Sequence, residues 1–189
     1  MSNRKIFHTV FFLGLLAAPC LPAQEGQAPA PAPQEQQAQP AAQEETVVGK
    51  ALEAMQGYAT EKRPDTHARY YIYLQSAGWC GPCNQEMPKI VQEYKEMRKN
   101  GVELVFVSCD KTRDDAVAFM KKYGADFACI GYESPESAAL PGYTPERRVP
   151  RMTIVDAAGK VAEGPNHPAF VLPKWREITH TPAAAAETK

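Results

Sequence analysis

The sequence predicts an α/β domain in which helices cover both faces of a mixed β-sheet. Between Thr46 and His180, strand-like segments alternate with segments whose apolar residues recur at helical spacing. One segment, Val102–Ser108, is almost continuously apolar, as expected of a strand that is covered on both faces. Near the end of the domain, the turn sequence Asp156–Gly159 separates two further strand-like segments. Strands that alternate with helices and finish in a hairpin predict a mixed sheet.

The first part of the domain has the pattern helix, strand, helix. A first helix is predicted from apolar residues at helical spacing, and Gly57 and Pro64 mark where it weakens and ends. These apolar residues are Val47, Val48, Leu52, Met55 and Tyr58. Aromatic and β-branched residues at Tyr70–Leu74 predict a strand. The apolar face of the next helix consists of Met87, Ile90, Val91, Tyr94 and Met97, and Asn100-Gly101 is expected to end it.

The second part of the domain contains another crossover and then the hairpin. Thr112, followed three residues later by Asp115, predicts a helix start, and Gly124 predicts the end of that helix. Strands are expected at Phe127–Ile130, Met152–Val155 and Lys160–Ala162, and a closing helix is expected at Ala169–Ile178.

The two ends of the chain differ from this domain in composition. Residues 1–23 contain basic residues, then the apolar stretch Val10–Ala18, then small residues and prolines, which predicts a signal peptide. The stretch is shorter than the roughly 20 apolar residues of a membrane-spanning helix. Residues 24–45 consist almost entirely of Ala, Pro, Gln and Glu and are expected to form a disordered linker. Residues 181–189 are expected to form a flexible tail.

Charge and cysteine content restrict the class of protein further. The formal net charge of −1 does not favour binding to nucleic acid. Lipid anchoring through Cys20 is a weaker alternative to signal cleavage after Ala23, because Pro19 fits poorly with the motif of lipoproteins. Without the signal peptide, four cysteines remain in a compartment that permits disulfides.

Two of these cysteines lie in the sequence Trp79-Cys80-Gly81-Pro82-Cys83. A disulfide that closes so short a loop adds little stability, so the pair is interpreted as reactive rather than structural. A helix that begins at the motif would lower the pKa of the first thiol. We therefore expect Cys80 to attack disulfides and Cys83 to resolve the mixed disulfide. The alternative, half of a zinc site, needs a second CxxC or well-spaced histidines, and the sequence contains neither.

The motif and its surroundings resemble the thioredoxin superfamily over about Ala68–Ala162. The segment Cys80–Pro88 is also similar to the CxxCxxExP pattern of exported TlpA/ResA-type thioredoxin-like proteins. The resemblance implies a thioredoxin-like three-layer fold and a thiol-disulfide oxidoreductase without a bound cofactor or metal. It also implies that Val149 and Pro150 form a cis-proline loop that lies beside the attacking cysteine and binds the extended backbone of a substrate.

The resemblance assigns roles to other residues near the cysteines. Glu86 is a candidate for proton exchange with the thiols, and a surface glutamate is the alternative interpretation. Trp79 is expected to shield the pair and to contact partners, together with Gly81 and Pro82. Many thioredoxins have a buried aspartate six residues before the first cysteine, and Leu74 occupies that position here.

Two features of the sequence fit more than one interpretation. Cys109 and Cys129 fit either a second disulfide or two separate buried thiols, because bridging requires Cα atoms within roughly 7 Å. The segment Tyr132–Arg148 precedes Pro150 and is expected to be a solvated connector, with a role in selecting partners as the alternative.

The sequence therefore predicts an exported thiol-disulfide oxidoreductase that reduces disulfides of exported proteins and receives electrons from a membrane redox partner. A monomer is expected. The alternatives are an oxidase or isomerase of protein disulfides, a binding module whose cysteines are only a structural clip, and an enzyme that reduces hydroperoxides.

Overall fold

The central sheet contains five strands in the order β3-β2-β1-β4-β5. The computed structural model describes residues 45–131 and 135–180. Its strands are β1 (Tyr70–Ser76), β2 (Val102–Ser108), β3 (Ala128–Gly131), β4 (Arg151–Asp156) and β5 (Val161–Asn166). Strands β1, β2 and β3 are parallel, whereas β4 is antiparallel to both of its neighbours. The sheet is therefore mixed, as predicted.

Six helices accompany these strands in the described part of the chain. They are α1 (Val47–Glu53), α2 (Gly81–Lys99), α3 (Arg113–Tyr123), α4 (Pro135–Ala138), α5 (Pro168–Val171) and α6 (Trp175–His180). A 3-10 turn, Leu172–Lys174, joins the last two. Within the described ranges, none of these helices has both the length and the apolar character that a membrane crossing requires.

Helices cover both faces of the sheet because successive residues of a strand point to opposite sides. On one face, Ile72 and Leu74 of β1 pack in a core with apolar residues of α2 and α3. On the other face, Tyr71 and Tyr73 pack in a second core with residues of α1, among them Val48. This arrangement confirms the predicted three-layer fold.

The first helix is shorter than the sequence predicts. Its start is capped by Thr46, whose hydroxyl oxygen accepts a hydrogen bond from the Gly49 N–H at 2.8 Å. The helix ends at Glu53, and Tyr58 instead forms an antiparallel bridge with Ile130 of β3. The expectation that Met55 and Tyr58 belong to this helix is wrong, because Tyr58 packs in the same core from an extended segment.

The predicted closing helix at Ala169–Ile178 is also wrong in its extent. Helix α5 ends at Val171, and the 3-10 turn separates it from α6. Pro173 lies within this turn. A proline lacks the N–H that a continuous helix would use and its ring clashes with the carbonyl four residues earlier, so the helix divides here.

The segment before Pro150 packs against β1, in contrast to the expected solvated connector. The Tyr73 hydroxyl donates to the Pro141 carbonyl oxygen at 3.0 Å, and Leu140 is buried in the second core. Gln75, which is 3% exposed, donates through Nε2 to the Thr144 carbonyl oxygen at 2.7 Å. Buried groups of β1 therefore attach this segment to the sheet.

Several predictions concern residues outside the described ranges. These are the signal peptide at 1–23 with Cys20, all of the linker at 24–45 except its last residue, and the tail at 181–189. They stay predictions.

Candidate active site

The Cys80–Cys83 pair lies at the start of α2, shortly after the end of β1. Cys80 is the N-cap residue of α2, and Pro82 lies in the first turn of this helix. Backbone N–H groups there have no acceptor within the helix, so the missing N–H of proline costs no hydrogen bond. The two cysteines form a disulfide, with their Cα atoms 5.2 Å apart. The pair is therefore oxidised and located at the positive end of a 19-residue helix.

The two sulfurs have different surroundings. Cys80 is 6% exposed, whereas Cys83 is 1% exposed. The Cys83 N–H donates to the Cys80 Sγ at 3.2 Å, so an amide donor of the helix already points at this sulfur. Gly81 and Pro82 are exposed, and a Cβ added to Gly81 would meet no atom within 4 Å. An approaching group thus finds open space beside Cys80.

The loop before β4 closes the other side of the Cys80 sulfur. The Val149 carbonyl oxygen lies 3.6 Å from the Cys80 Sγ. The Val149–Pro150 peptide bond is cis, Pro150 is buried, and Val149 is half-buried. The structure therefore brings Cys80 and Cys83 close to Val149 and Pro150, which lie about 70 positions later in the sequence.

The comparison with known proteins agrees with this geometry. Residues 68–161 match the family model described as Thioredoxin-like. Residues 68–161 thus form a thioredoxin-like domain.

Individual relatives of the thioredoxin-like domain match only in part. The chain is 36% identical over 60 residues to a thiol-disulfide oxidoreductase ResA from Bacillus subtilis, which covers 31% of this chain and 34% of that protein. It is 27% identical over 85 residues to a thiol:disulfide interchange protein HelX from Rhodobacter capsulatus, which covers 45% of each. The matched part spans between about a third and about half of the length of these relatives.

A solved structure supports the fold alone. The solution structure of a thiol:disulfide interchange protein from Bacteroides sp. superposes with a TM-score of 0.52 at 13% identity and covers 64% of this chain and 79% of that one.

Trp79 of the thioredoxin-like domain is exposed beside the disulfide. It is 66% exposed, and its Nε1–H donates to the Cys109 carbonyl oxygen at 3.2 Å. One edge of the indole is thus held by the protein, while the rest of the ring can contact a partner.

Sequence reasoning missed Asp110, which lies two residues after the end of β2. Its Oδ1 accepts from the Gly78 N–H at 2.9 Å, and its Oδ2 accepts from the Ser108 hydroxyl at 2.9 Å. Asp110 therefore holds the turn that precedes Cys80. A polar residue two positions after a buried strand, at the sheet edge where the cysteines lie, is the signal that would have identified it.

Asp110 also lines a pocket of about 720 Å³ beside the disulfide. The pocket is lined by Gly78, Trp79, Asn84, Asp110, Lys111, Asp115, Ala118, Phe119 and Lys122. Helix α3 thus forms one side of the surface around the cysteines.

Glu86 does not join the cysteines through a visible contact. It lies one turn beyond Cys83 on α2 and is half-buried. Its carboxylate makes no hydrogen bond or ion pair with the described part of the chain. Its role in proton exchange stays a prediction.

Cys109 and Cys129 are not bridged, which favours the alternative of two separate thiols over a second disulfide. Cys129 pairs with Phe106 across β2 and β3, whereas Cys109 lies three residues beyond Phe106. At about 3.3 Å per residue along a strand, this offset of roughly 10 Å exceeds the Cα separation that a disulfide permits. Burial, with a smaller effect of the Asp110 carboxylate, raises the pKa of the Cys129 thiol to about 12.

No group of three or more His, Cys, Asp and Glu side chains in the ranges 45–131 and 135–180 is arranged to hold a metal ion. Leu74, at the position where many thioredoxins have a buried aspartate, is fully buried. The buried carboxylate of Glu103 does not take the place of that aspartate, because it lies at the other end of β2 from the cysteines.

Proposed function

We propose that this protein is a thiol-disulfide oxidoreductase that reduces disulfides of exported proteins, with Cys80 as the nucleophile and Cys83 as the resolving thiol. The observation that supports this most directly is the environment of the Cys80 sulfur. It lies at the start of α2, accepts the Cys83 N–H, and borders the exposed Gly81 and Pro82. A helix N-terminus stabilises a thiolate, which is the form that attacks disulfides.

The reduced pair would act in two exchange steps. The Cys80 thiolate attacks one sulfur of the partner's disulfide and forms a mixed disulfide, and the partner's other sulfur leaves as a thiolate that takes up a proton. Cys83 then loses its proton and attacks the Cys80 sulfur, which releases the second partner thiol. Two electrons pass to the partner, and Cys80–Cys83 returns to the disulfide seen here.

Substrate binding is assigned to the surface around Cys80. Trp79, Gly81 and Pro82 offer exposed surface, and Val149 presents its backbone next to the sulfur. An extended substrate segment that pairs with the Val149 backbone would bring its disulfide to Cys80.

Export and the source of electrons complete the proposal. The signal-peptide pattern of residues 1–23 supports export. In an oxidising compartment the pair needs a dithiol donor for each cycle, and a membrane redox partner would supply it.

Reduction of insulin disulfides in the presence of dithiothreitol tests the activity. We expect Cys80→Ser to abolish the acceleration over dithiothreitol alone. Cys83→Ser that has been reduced and then separated from dithiothreitol should accumulate a mixed disulfide with the substrate, because the resolving step is missing. The matched control is Cys109→Ser, which should retain activity because its side chain is not part of the pair.

Equal activity of wild type and Cys80→Ser would refute the proposal and favour a binding role. Direct consumption of hydroperoxide by the wild type, with no insulin reduction, would favour a peroxidase.

A redox titration against glutathione tests the direction of electron flow. A reductase should have a midpoint potential near that of thioredoxin, about −270 mV. A midpoint near about −120 mV, the value of a strong oxidant, would contradict the proposed direction and leave the exchange chemistry intact.

A further inference from the structure

Asn84, the residue after Cys83, connects three segments through one side-chain amide. Its Nδ2 donates to the Gly78 carbonyl oxygen at 2.9 Å and to the Cys80 carbonyl oxygen at 2.8 Å. Its Oδ1 accepts from Lys122 Nζ at 2.8 Å and from the Tyr123 hydroxyl at 2.7 Å. Both donors and both lone pairs are used. Only one orientation of the amide fits, because carbonyl oxygens only accept and an ammonium group only donates.

We propose that Asn84 is a positioning residue that keeps Cys80 at the start of α2 when the disulfide opens, and that Lys122 and Tyr123 hold Asn84 in place. The proposal rests on the thiol-disulfide function proposed above. In the oxidised protein, the bond to Cys83 already restrains Cys80. In the reduced protein that restraint is absent, so hydrogen bonds to the Cys80 backbone, including the one from Asn84 Nδ2, keep this residue at the start of α2.

Helix α3 provides a rigid support for this contact. The Tyr123 ring packs edge-on against Phe119 with centroids 5.5 Å apart, and Phe119 is buried. Lys122 Nζ lies 5.0 Å from the centroid of the Tyr123 ring. The two groups that bind the Asn84 oxygen therefore also contact each other.

Lys122 brings a positive charge towards the start of α2. A nearby positive charge favours the thiolate over the thiol, and it favours the reduced form of the pair over the disulfide. Other charged groups around this surface are Asp110, Lys111 and Asp115 beside the pocket, Glu86 on α2, and Arg147 and Arg148 before Pro150. Among the charged side chains of α3, Lys122 is the one bonded directly to Asn84.

Comparison of Lys122→Met with Lys121→Met tests the inference. Lys121 is an exposed neighbour on the same helix, so its replacement removes the same charge without touching Asn84. The rate of Cys80 alkylation is measured against pH in the reduced protein. We expect Lys122→Met to raise the midpoint of this profile by about half a pH unit, which is roughly a threefold loss of rate below the midpoint. Lys121→Met should leave the midpoint unchanged.

Two further variants separate positioning from charge. Asn84→Ala removes every bond of the amide and should raise the midpoint by about one unit, or roughly tenfold in rate below it. Tyr123→Phe removes one bond without a change of charge and should raise the midpoint by less. In each case the equilibrium with glutathione, measured above the midpoint where Cys80 is a thiolate, should shift towards the disulfide by the factor that corresponds to the change in pKa.

The readouts distinguish this role from simple loss of stability. A structural role alone would lower the melting temperatures of both redox forms and leave the alkylation midpoint and the glutathione equilibrium unchanged. If Asn84→Ala fails to fold, the comparison of Lys122→Met and Tyr123→Phe with Lys121→Met still decides the question.

The inference is overturned if Lys122→Met and Tyr123→Phe match Lys121→Met in both measurements while wild-type Cys80 reacts. If wild-type Cys80 itself neither alkylates nor exchanges with glutathione, the proposed function fails instead, so the two failures are distinct.

Discussion

The cysteines of this domain lie in different surroundings. Cys80 lies at a helix N-terminus with an amide donor on its sulfur. Cys129 lies in β3, buried in the core, and its raised pKa keeps it protonated near neutral pH. Reactivity is thus a property of position, and a thiol beside unpaired amides differs from one surrounded by apolar atoms.

Gln75 shows how a single buried residue shapes the surroundings of the cysteines. Its Nε2 donates to the Thr144 carbonyl oxygen, and its Oε1 accepts from the Glu146 N–H at 2.9 Å. We expect Gln75→Leu to free the Glu146 amide, because a hydrogen bond contributes about 1 kcal/mol net and its loss accelerates local opening roughly fivefold. Hydrogen exchange of the Glu146 amide measures this effect.

The matched control for this experiment is Gln85→Leu, because Gln85 is an exposed glutamine of α2. It should leave the exchange of Glu146 unchanged. Equal exchange rates of Glu146 in wild type and Gln75→Leu would show that the segment before Pro150 does not depend on β1.

At the scale of elements, the active pair and its support depend on where two helices begin. Helix α2 begins at Gly81 because Cys80 caps it and Pro82 fits its first turn. Helix α3 begins at Arg113, and its far end supplies Lys122 and Tyr123 to Asn84. A change in the start of either helix would move one side of the site relative to the other.

The start of α3 depends on Thr112. Its hydroxyl accepts from the Asp115 N–H at 3.1 Å and donates to the Asp115 carboxylate at 2.7 Å. We expect Thr112→Ala to lower the free energy of unfolding by about 1 kcal/mol, because an amide of the first turn loses its acceptor. Urea denaturation measures this change.

Thr112→Ser keeps the hydroxyl and should retain most of the stability. A loss in Thr112→Ser as large as that in Thr112→Ala would assign the effect to the methyl group and contradict the role of the cap.

At the scale of the whole molecule, the sheet topology assembles the site. Strands β1 and β2 are parallel, so both end at the edge that carries Cys80 and Asp110. Strand β4 is antiparallel to β1, so its first residue, Arg151, pairs with Gln75 near the end of β1. This pairing brings the Val149–Pro150 loop to the same edge.

The opposite end of the sheet contains a buried carboxyl, Glu103, which is 2% exposed. It accepts from the Tyr94 hydroxyl at 2.7 Å and from the Asp65 N–H at 3.1 Å, and Arg98 lies 3.8 Å away. Burial raises the pKa of Glu103, although these donors act in the opposite direction.

This raised pKa makes stability depend on pH. In the unfolded chain the carboxyl titrates near its ordinary pKa of about 4.3. Between that value and the higher folded pKa, the folded protein binds more protons, so the contribution of Glu103 to stability decreases as pH rises. We expect the free energy of unfolding of Glu103→Gln, minus that of wild type, to increase across this pH window. Urea denaturation at a series of pH values measures it.

Glu61→Gln is the control, since Glu61 is exposed. Its difference from wild type should show no comparable increase. A constant difference between Glu103→Gln and wild type at every pH would contradict a raised pKa for Glu103.

Much of this architecture was predictable because it depends on neighbouring residues. The strand β2 follows from a continuous apolar run, the start of α3 from Thr112 and Asp115, and the pair itself from Cys80 and Cys83. Helical spacing, capping and turn chemistry act over a few positions, so a linear sequence displays them. The family follows from the same local motif and its position between a strand and a helix.

Other features depend on contacts between distant parts of the chain. Asn84 binds Tyr123, Gln75 binds Thr144, and the separation of Cys109 from Cys129 follows from the register of β2 and β3. Strand register and helix packing set these distances, and neither leaves a periodic pattern in the sequence. The sequence by itself thus determined the cysteine pair and its fold, whereas the tertiary structure decided which polar groups surround that pair, because hydrogen bonds depend on separations in space.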